Sequence, residues 1–395
     1  MRITVLHRYF WPQNYPYAIM LKEIVETLVA SGNEIKILTT IQGGDSECNL
    51  RKSWKVGLGV DLNELRLGPE KKKGLLRKGV NAIYFALWIF WKLISGCQDV
   101  VLVGTTPPII VATVVRWGAK IRGYKYVYHC QDIHPEAMRV TGSLKRSWFY
   151  KWLLNMDKKN IDQAWKVITL SADMCNTFER RGCRVGHVEV INNFIFEEPQ
   201  AEVDVSVAKS KIKFIFSGSL GRLQNLEVMI SSFEPFKNRE DVDFVIMGEG
   251  ILRPRLEELK SELDLKNVTF VGQKSLDDAL AAMREADVGL VSLSPGVIDV
   301  AYPSKTIMYM ASGLPVLAIV DEDTDLARLI VDKDLGDTAP PDSISEISKA
   351  IDKLVRRFHS QPIQRQYVQK TAYNLFGKEV ILKKLERVLN NESEI

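Results

Sequence analysis

Cysteine is scarce in this 395-residue chain: five residues, Cys48, Cys97, Cys130, Cys175 and Cys183, with no two at CxxC spacing. That scarcity excludes a disulfide framework and a cysteine-built zinc module, and it fits reduced thiols in a cytosolic chain. Low-complexity tracts and repeats of fixed short period are missing too, which excludes a solenoid. The opening "MRITVLHRYFWP" enters an apolar strand with no basic leader and no small-residue cleavage site, so no secretory signal is expected. The apolar stretch within residues 71–96 is interrupted by Lys92 and is too short to span about 30 Å of hydrocarbon.

What is present is a hydrophobic content of 46%, enough for two ordinary domains with separate cores. The formal charge of +4 hides an asymmetry: residues 1–195 hold 28 Lys and Arg against 16 Asp and Glu, and the remainder holds 25 against 33. A basic first half suggests an anionic surface or ligand. Short β-branched runs ("RITVLH", "EIKILTT", "DVVLVGT", "KYVYHCQD") alternate with longer amphipathic stretches, as βαβ units around a parallel sheet require. In the first helix Ile19, Met20, Leu21, Ile24 and Leu28 supply the buried face. Residues 196–210 are acidic and aperiodic, and the alternation then restarts with "KFIFSGSL". The expected fold is α/β: two Rossmann-like, doubly wound domains facing a central cleft, with ligands at the C-terminal ends of the strands. Their bounds are 1–195, a linker 196–210, 211–375 and a C-terminal helix 376–395 able to cross back to the first domain.

Three second-half segments end a strand and turn sharply into a helix. "FIFSGSLGRLQNLE" places Gly218, Ser219 and Gly221 after a strand, followed by Arg222, Gln224 and Asn225. "VIMGEGILRPRLEEL" repeats this with Gly248, Glu249 and Gly250, and "VAYPSKTIMYMASG" puts Ser304 at a helix start with Lys305 and Thr306 in the first turn. Small residues let backbone N–H groups approach an anion, and a guanidinium can pair with phosphate oxygens. Lys305 is the sharpest signal, because a cation at a helix start opposes the macrodipole unless an anion offsets both.

These motifs, with "FVGQKSLDDALAAMREADVGLVSL" and, in the first half, "YHCQDIHPE", resemble GT-B fold, family 4 retaining glycosyltransferases, in particular bacterial surface-polysaccharide enzymes of the fucosamine transferase type. The resemblance implies transfer of a sugar from a nucleoside diphosphate donor, UDP in the first instance, with retention at the anomeric carbon, no cofactor and no essential metal. By matching positions, Arg222 and Lys305 would neutralise the diphosphate, supported by backbone groups at Ser304, Lys305 and Thr306. Gly272 and Gln273 would hold the base, and Glu249 and Gly250 would lie beside the nucleotide. Two departures stand out. The family's pair of Glu residues, the second of which binds ribose, is replaced by Val300 and Met308, and the often Gly-rich first loop carries Asn14, Tyr15, Pro16 and Tyr17.

On the acceptor side "HCQDIHPE" gathers Gln131, Asp132, His134 and Glu136 at a strand end, where the carboxylates suit either helix capping or binding of sugar hydroxyls; Asp132 is the candidate for a catalytic part, and Tyr15 and Tyr17 are candidates for the pocket wall. A metal reading of His129, Cys130 and His134 matches no common ligand spacing. "DEDTD" at 321–325 contains overlapping DxD triplets, and a solvated turn is the expectation there. Finally, "KKKGLLRKGVNAIYFALWIFWKLISG" and "SLKRSWFYKWLLNMDKKN" join basic residues, including Lys72 and Lys73, to the aromatics Trp88, Trp91, Trp148 and Trp152. Such segments suit a lipid interface, and no nucleic-acid motif accompanies them. The expected protein is a metal-independent glycosyltransferase, peripheral on the cytoplasmic face of the cell membrane, extending a lipid-linked (polyprenyl diphosphate) saccharide, in contact with other assembly enzymes. A nucleotide-sugar epimerase of the same architecture and a non-catalytic sugar-nucleotide-binding subunit are the alternatives.

Overall fold

The computed structural model describes residues 1–13, 15–41, 45–68, 75–104, 109–140, 142, 146–196 and 210–390. The chain divides into two compact units, Met1–Asn192 together with the chain from Ile381 onward, and Asn193–Val380. Residues 197–209, most of the expected linker, lie outside the described residues.

The first unit runs β1 (Arg2–Leu6), α1 (Pro16–Ala30), β2 (Glu34–Ile41), α2 (Asp45–Leu58), β3 (Asp61–Arg66), α3 (Leu75–Ser95), β4 (Val100–Gly104) and α4 (Ile110–Arg122). It continues with β5 (Lys125–His129), α5 (Glu136–Val140), α6 (Ser147–Asp162), β6 (Lys166–Thr169), α7 (Ala172–Arg180) and β7 (Val188–Val190). The sheet order is β3-β2-β1-β4-β5-β6-β7, with every pairing parallel. Buried Val, Ile and Leu fill β1 and β4, and Tyr126, Val127 and Tyr128 are buried in β5, as strands covered on both faces require. Right-handed crossovers put α1 and α2 on one face and α3, α4 and α6 on the other. Arg51 of α2 is buried and ties the segment after β1: it donates to the Phe10 and Trp11 carbonyls at 2.7 and 2.6 Å and pairs with Glu64.

The second unit contains β8 (Ile212–Ser217), α8 (Leu226–Ser231), β9 (Val242–Met247), α9 (Arg253–Glu262), β10 (Val268–Val271), α10 (Leu276–Glu285), β11 (Val288–Ser292) and α11 (Lys305–Ala311). Then follow β12 (Val316–Ile319), α12 (Asp325–Asp332), β13 (Gly336–Ala339), α13 (Ile344–Ser360), α14 (Arg365–Phe376) and α15 (Lys378–Asn390), whose last turns join the first unit. Its all-parallel order, β10-β9-β8-β11-β12-β13, is again doubly wound about the first strand. Side-chain caps from Ser275, Thr324 and Ser343 satisfy N–H groups that the first turns of α10, α12 and α13 cannot bond internally. Helix α14 closes over the end of α11, where Gln369 and Arg365 donate to the Ala311 and Ser312 carbonyls at 3.0 and 3.3 Å.

Candidate functional site

Strand register brings the glycine-bearing strand-end segments to one level. Ser217 pairs with Met247, and Met247 with Val271, so the loops after β8, β9 and β10 start side by side. Their backbones are bonded together: Leu220 N–H donates to the Glu249 carbonyl at 2.9 Å, and Gly248 N–H to that of Val271 at 3.0 Å. The loop after β11 joins them, with Ser294 N–H donating to the Leu223 carbonyl at 2.8 Å and Ser294 Oγ to that of Arg222 at 3.1 Å. The loops after β8, β9, β10 and β11 thus lie together at one end of the sheet.

Lys305 rises into this cluster from the start of α11. Its stem is partly exposed, but its Nζ is buried and has no hydrogen-bond partner among the described residues. The ammonium lies 3.8 Å from the centroid of the Phe216 ring, a cation–π contact, and a Cβ added at Gly218 would meet it at 2.9 Å. Loss of hydration lowers its pKa from 10.5 to about 7. A buried, unpaired cation is costly, and a ligand phosphate is the kind of group that would complete it. Phe216 went unnoticed in the sequence because a strand phenylalanine reads as core. Tyr309 did as well: it is buried, lies under Gly289, and its hydroxyl accepts from Ser217 N–H at 2.7 Å, fixing α11 to the end of β8.

The glycines divide by role. Gly218 has φ +149° and makes room for the ammonium. Gly248 and Gly250 are required by backbone packing, since a Cβ there would lie 1.9 Å from the Gly218 carbonyl oxygen and 2.2 Å from that of Leu220. Gly272 lies against the side chains of Glu249 and Arg253, which pair with each other, and Gln273 beside it is exposed. An α-helix start ordinarily leaves its first four N–H groups without an internal partner, but α11 closes earlier. Ser304 is itself helical, and Thr306 and Ile307 donate to the Pro303 and Ser304 carbonyls at 2.9 and 3.1 Å, leaving the N–H groups of Ser304 and Lys305. Arg222 and Ser219 are exposed, Met308 is half-buried, Gln224 Oε1 and Thr306 Oγ1 are buried without a partner among the described residues, and Asn225 Nδ2 donates to the Pro341 carbonyl at 2.5 Å.

In the first unit, the ends of β1, β4 and β5 carry a polar cluster that only folding brings together. His129 Nδ1 lies 2.9 Å from the Tyr17 hydroxyl and its Nε2 2.9 Å from Gln131 Nε2, while Tyr17 packs edge-on against His7, with ring centroids 4.7 Å apart. Gly104 leaves space for the Tyr17 ring. Burial holds His7 at about 4 and His129 at about 3, so both are neutral, and it raises the Tyr17 phenol well above its usual value. Both ring nitrogens of His129 are thus engaged, with the donor at each set by the tautomer of the ring. Tyr15 is exposed and packs on Tyr9. Glu136 is committed elsewhere: it takes both arms of Arg181, whose Nη1 also donates to buried Asp157 at 2.6 Å, and Tyr128 donates to Asp157 at 2.6 Å. His134 Nδ1 is buried without a partner among the described residues, and burial, then Arg181, lowers its pKa to about 4. Asp132 presents an open face to solvent, which tempers the upward push that surrounding protein exerts on its carboxyl.

Residues 211–357 match the family model described as "Glycosyl transferases group 1". The second unit is similar to group 1 glycosyl transferases. Over longer spans, the chain is 26% identical to a Pseudomonas aeruginosa protein named as a glycosyltransferase, WbjE, across 75% of this chain and 76% of that protein. It is 23% identical to an Escherichia coli protein named as a colanic acid biosynthesis glycosyl transferase, WcaI, covering 88% of this chain and 91% of that one. Among solved structures, Anabaena HepE in complex with UDP superposes with a TM-score of 0.71 at 14% identity, covering 99% of this chain and 100% of HepE. The pair of parallel-sheet, Rossmann-like units is thus that of the GT-B fold.

Within the group 1 segment, "DEDTD" is turn chemistry. Asp321 accepts from Gly296 N–H at 2.8 Å, Thr324 caps α12, and Asp325 pairs with Arg328. Outside that segment, both ring nitrogens of His129 are engaged by Tyr17 and Gln131. Trp91, Trp148 and Trp152 are exposed, whereas Trp88 is partly covered, stacking on Phe85 with Lys92 over its ring. Lys72 and Lys73 lie outside the described residues.

Proposed function

We propose that this protein is a retaining glycosyltransferase that moves a sugar from a nucleoside diphosphate sugar, UDP in the first instance, to a lipid-linked saccharide in bacterial surface-polysaccharide assembly. The observation that carries the reading is the Lys305 ammonium, buried and without a hydrogen-bond partner among the described residues, at the convergence of the β8, β9 and β10 loops. The group 1 match over those same loops, and relatives named for glycosyl transfer, support it. HepE, of the same fold, binds UDP.

In this reading the bond between the anomeric carbon and the β-phosphate oxygen breaks, and the nucleoside diphosphate departs. An acceptor hydroxyl oxygen bonds to that carbon on the same face and passes its proton to the departing phosphate. Charge growing on the phosphate is offset by Lys305, the exposed Arg222 and the N–H groups of Ser304 and Lys305, fixed donors that need little reorganisation. No metal or protein nucleophile enters. Tyr17, Gln131 and Asp132 supply hydroxyl-binding groups on the acceptor side. Incubation of purified protein with a panel of nucleotide sugars and a bacterial lipid extract tests this: transfer of sugar to lipid, unaffected by EDTA, is expected. Isomerised donor, or binding without turnover, would overturn it.

A further inference from the structure

Helices α3, α4 and α6 lie side by side on one face of the first sheet, α3 packing on α4 and α4 on α6. Their outer surfaces are unusual. Along α3, Val80, Ile83, Tyr84, Leu87 and Trp91 form one exposed stripe at helical spacing. Helix α4 adds Trp117 and Ile121, which sequence reading passed over, and α6 adds Trp148 and Trp152. Trp91 is 68% exposed, Trp148 66%, and Trp117 and Trp152 each 52%, so half of the chain's eight tryptophans face outward on three neighbouring helices. Soluble surfaces rarely present so much contiguous aromatic area without a partner.

The fully exposed charge on these helices has one sign. Neither α3 nor α4 contains an Asp or Glu, while Arg77, Lys78, Lys120 and Arg122 are exposed on them. At α6 the exposed charged residues are Arg146 at its N-cap, Lys151 and Lys159, while Asp157 is buried against Arg181 and half-covered Asp162 pairs with Lys158. Among the described residues no helix is long and apolar enough to cross a membrane. Tryptophan suits the headgroup level of a bilayer, where its ring is apolar and its N–H stays wet, and interleaved cations add attraction to anionic lipid.

We propose that the joint face of α3, α4 and α6 docks in the plane of an anionic lipid surface, with Trp91, Trp117, Trp148 and Trp152 among the headgroups. This deepens the lipid-linked acceptor reading and rests on it for its purpose, but its test stands apart. Full-length protein would be sedimented with vesicles of phosphatidylcholine alone and of phosphatidylcholine with phosphatidylglycerol. Retention on the anionic vesicles, weakened by salt, and quenching of tryptophan fluorescence by brominated lipid are expected from the unaltered chain. The combined variant W91S/W117S/W148S/W152S, and separately K120E/K151E, would lose at least about tenfold in vesicle affinity with unchanged UDP binding. No retention on anionic vesicles, no quenching, or equal retention of both variants would overturn the proposal. So would self-association abolished by the tryptophan variant, which would assign the face to a second copy of the chain. Failure of the unaltered protein to bind UDP while it still binds vesicles would sink the donor reading alone.

Discussion

Lys305 stands at odds with its surroundings: its amine lies over an aromatic ring, buried at its tip, with no hydrogen-bond partner among the described residues. Replacing it by Met keeps the chain length and removes the unpaired charge. Lys305→Met should therefore weaken UDP binding by an order of magnitude or more while the melting temperature holds or rises. Lower stability together with unchanged UDP affinity would mean that the ammonium serves the fold. This residue was legible because "YPSKT" sets a cation at a helix start, a local conflict visible in the sequence. The ring beneath it and the Tyr17–His129 pair were not, since their partners are 89 and 112 positions away and no local spacing marks them. Nor does the sequence show that the first turn of α11 closes early, on the Pro303 and Ser304 carbonyls.

At the scale of elements, the alternation of strands and helices was readable wherever both faces of a strand are covered. It failed at β3, "DLNELR", an edge strand in which only Leu65 is buried, and at β13, "GDTA", which is too short and small to show a pattern. The strand-end glycines were found but assigned one role, and the structure gives two. Gly248→Ala, which drives a Cβ into the Gly218 carbonyl, should unfold the second unit at much lower denaturant than Gly221→Ala, whose Cβ would meet only side-chain ends at 3.2 and 3.5 Å. Comparable urea midpoints would contradict that packing. In the first unit, Arg181→Leu leaves Asp157 buried without its cation and should cost about 3–5 kcal/mol in chemical denaturation. A loss below about 1 kcal/mol would mean that the network is dispensable.

For the whole molecule, burial sets the response to acid. His7, His129 and His134 have folded pKa values of about 4, 3 and 4 against an unfolded value of 6.5. As pH falls below 6.5 the unfolded chain takes up protons that the folded chain refuses, so stability is full above 6.5 and declines down to about pH 3. Urea midpoints measured across that window should fall steadily, and a flat profile would contradict neutral burial of these rings. Lys305 acts at the other end. Its folded value of about 7 against 10.5 makes the ligand-free protein gain stability as pH rises from 7, while an incoming diphosphate demands that the amine be charged.

That demand gives the most direct test of the account. Titration calorimetry of UDP binding at pH 8, repeated in buffers of different ionisation enthalpy, counts the protons taken up when the complex forms. Net uptake approaching one proton is expected, because a largely neutral Lys305 must become an ammonium beside the diphosphate, and this uptake should vanish in Lys305→Met. UDP binding without proton uptake, or identical uptake in the variant, would contradict the claim that Lys305 is the group waiting for phosphate.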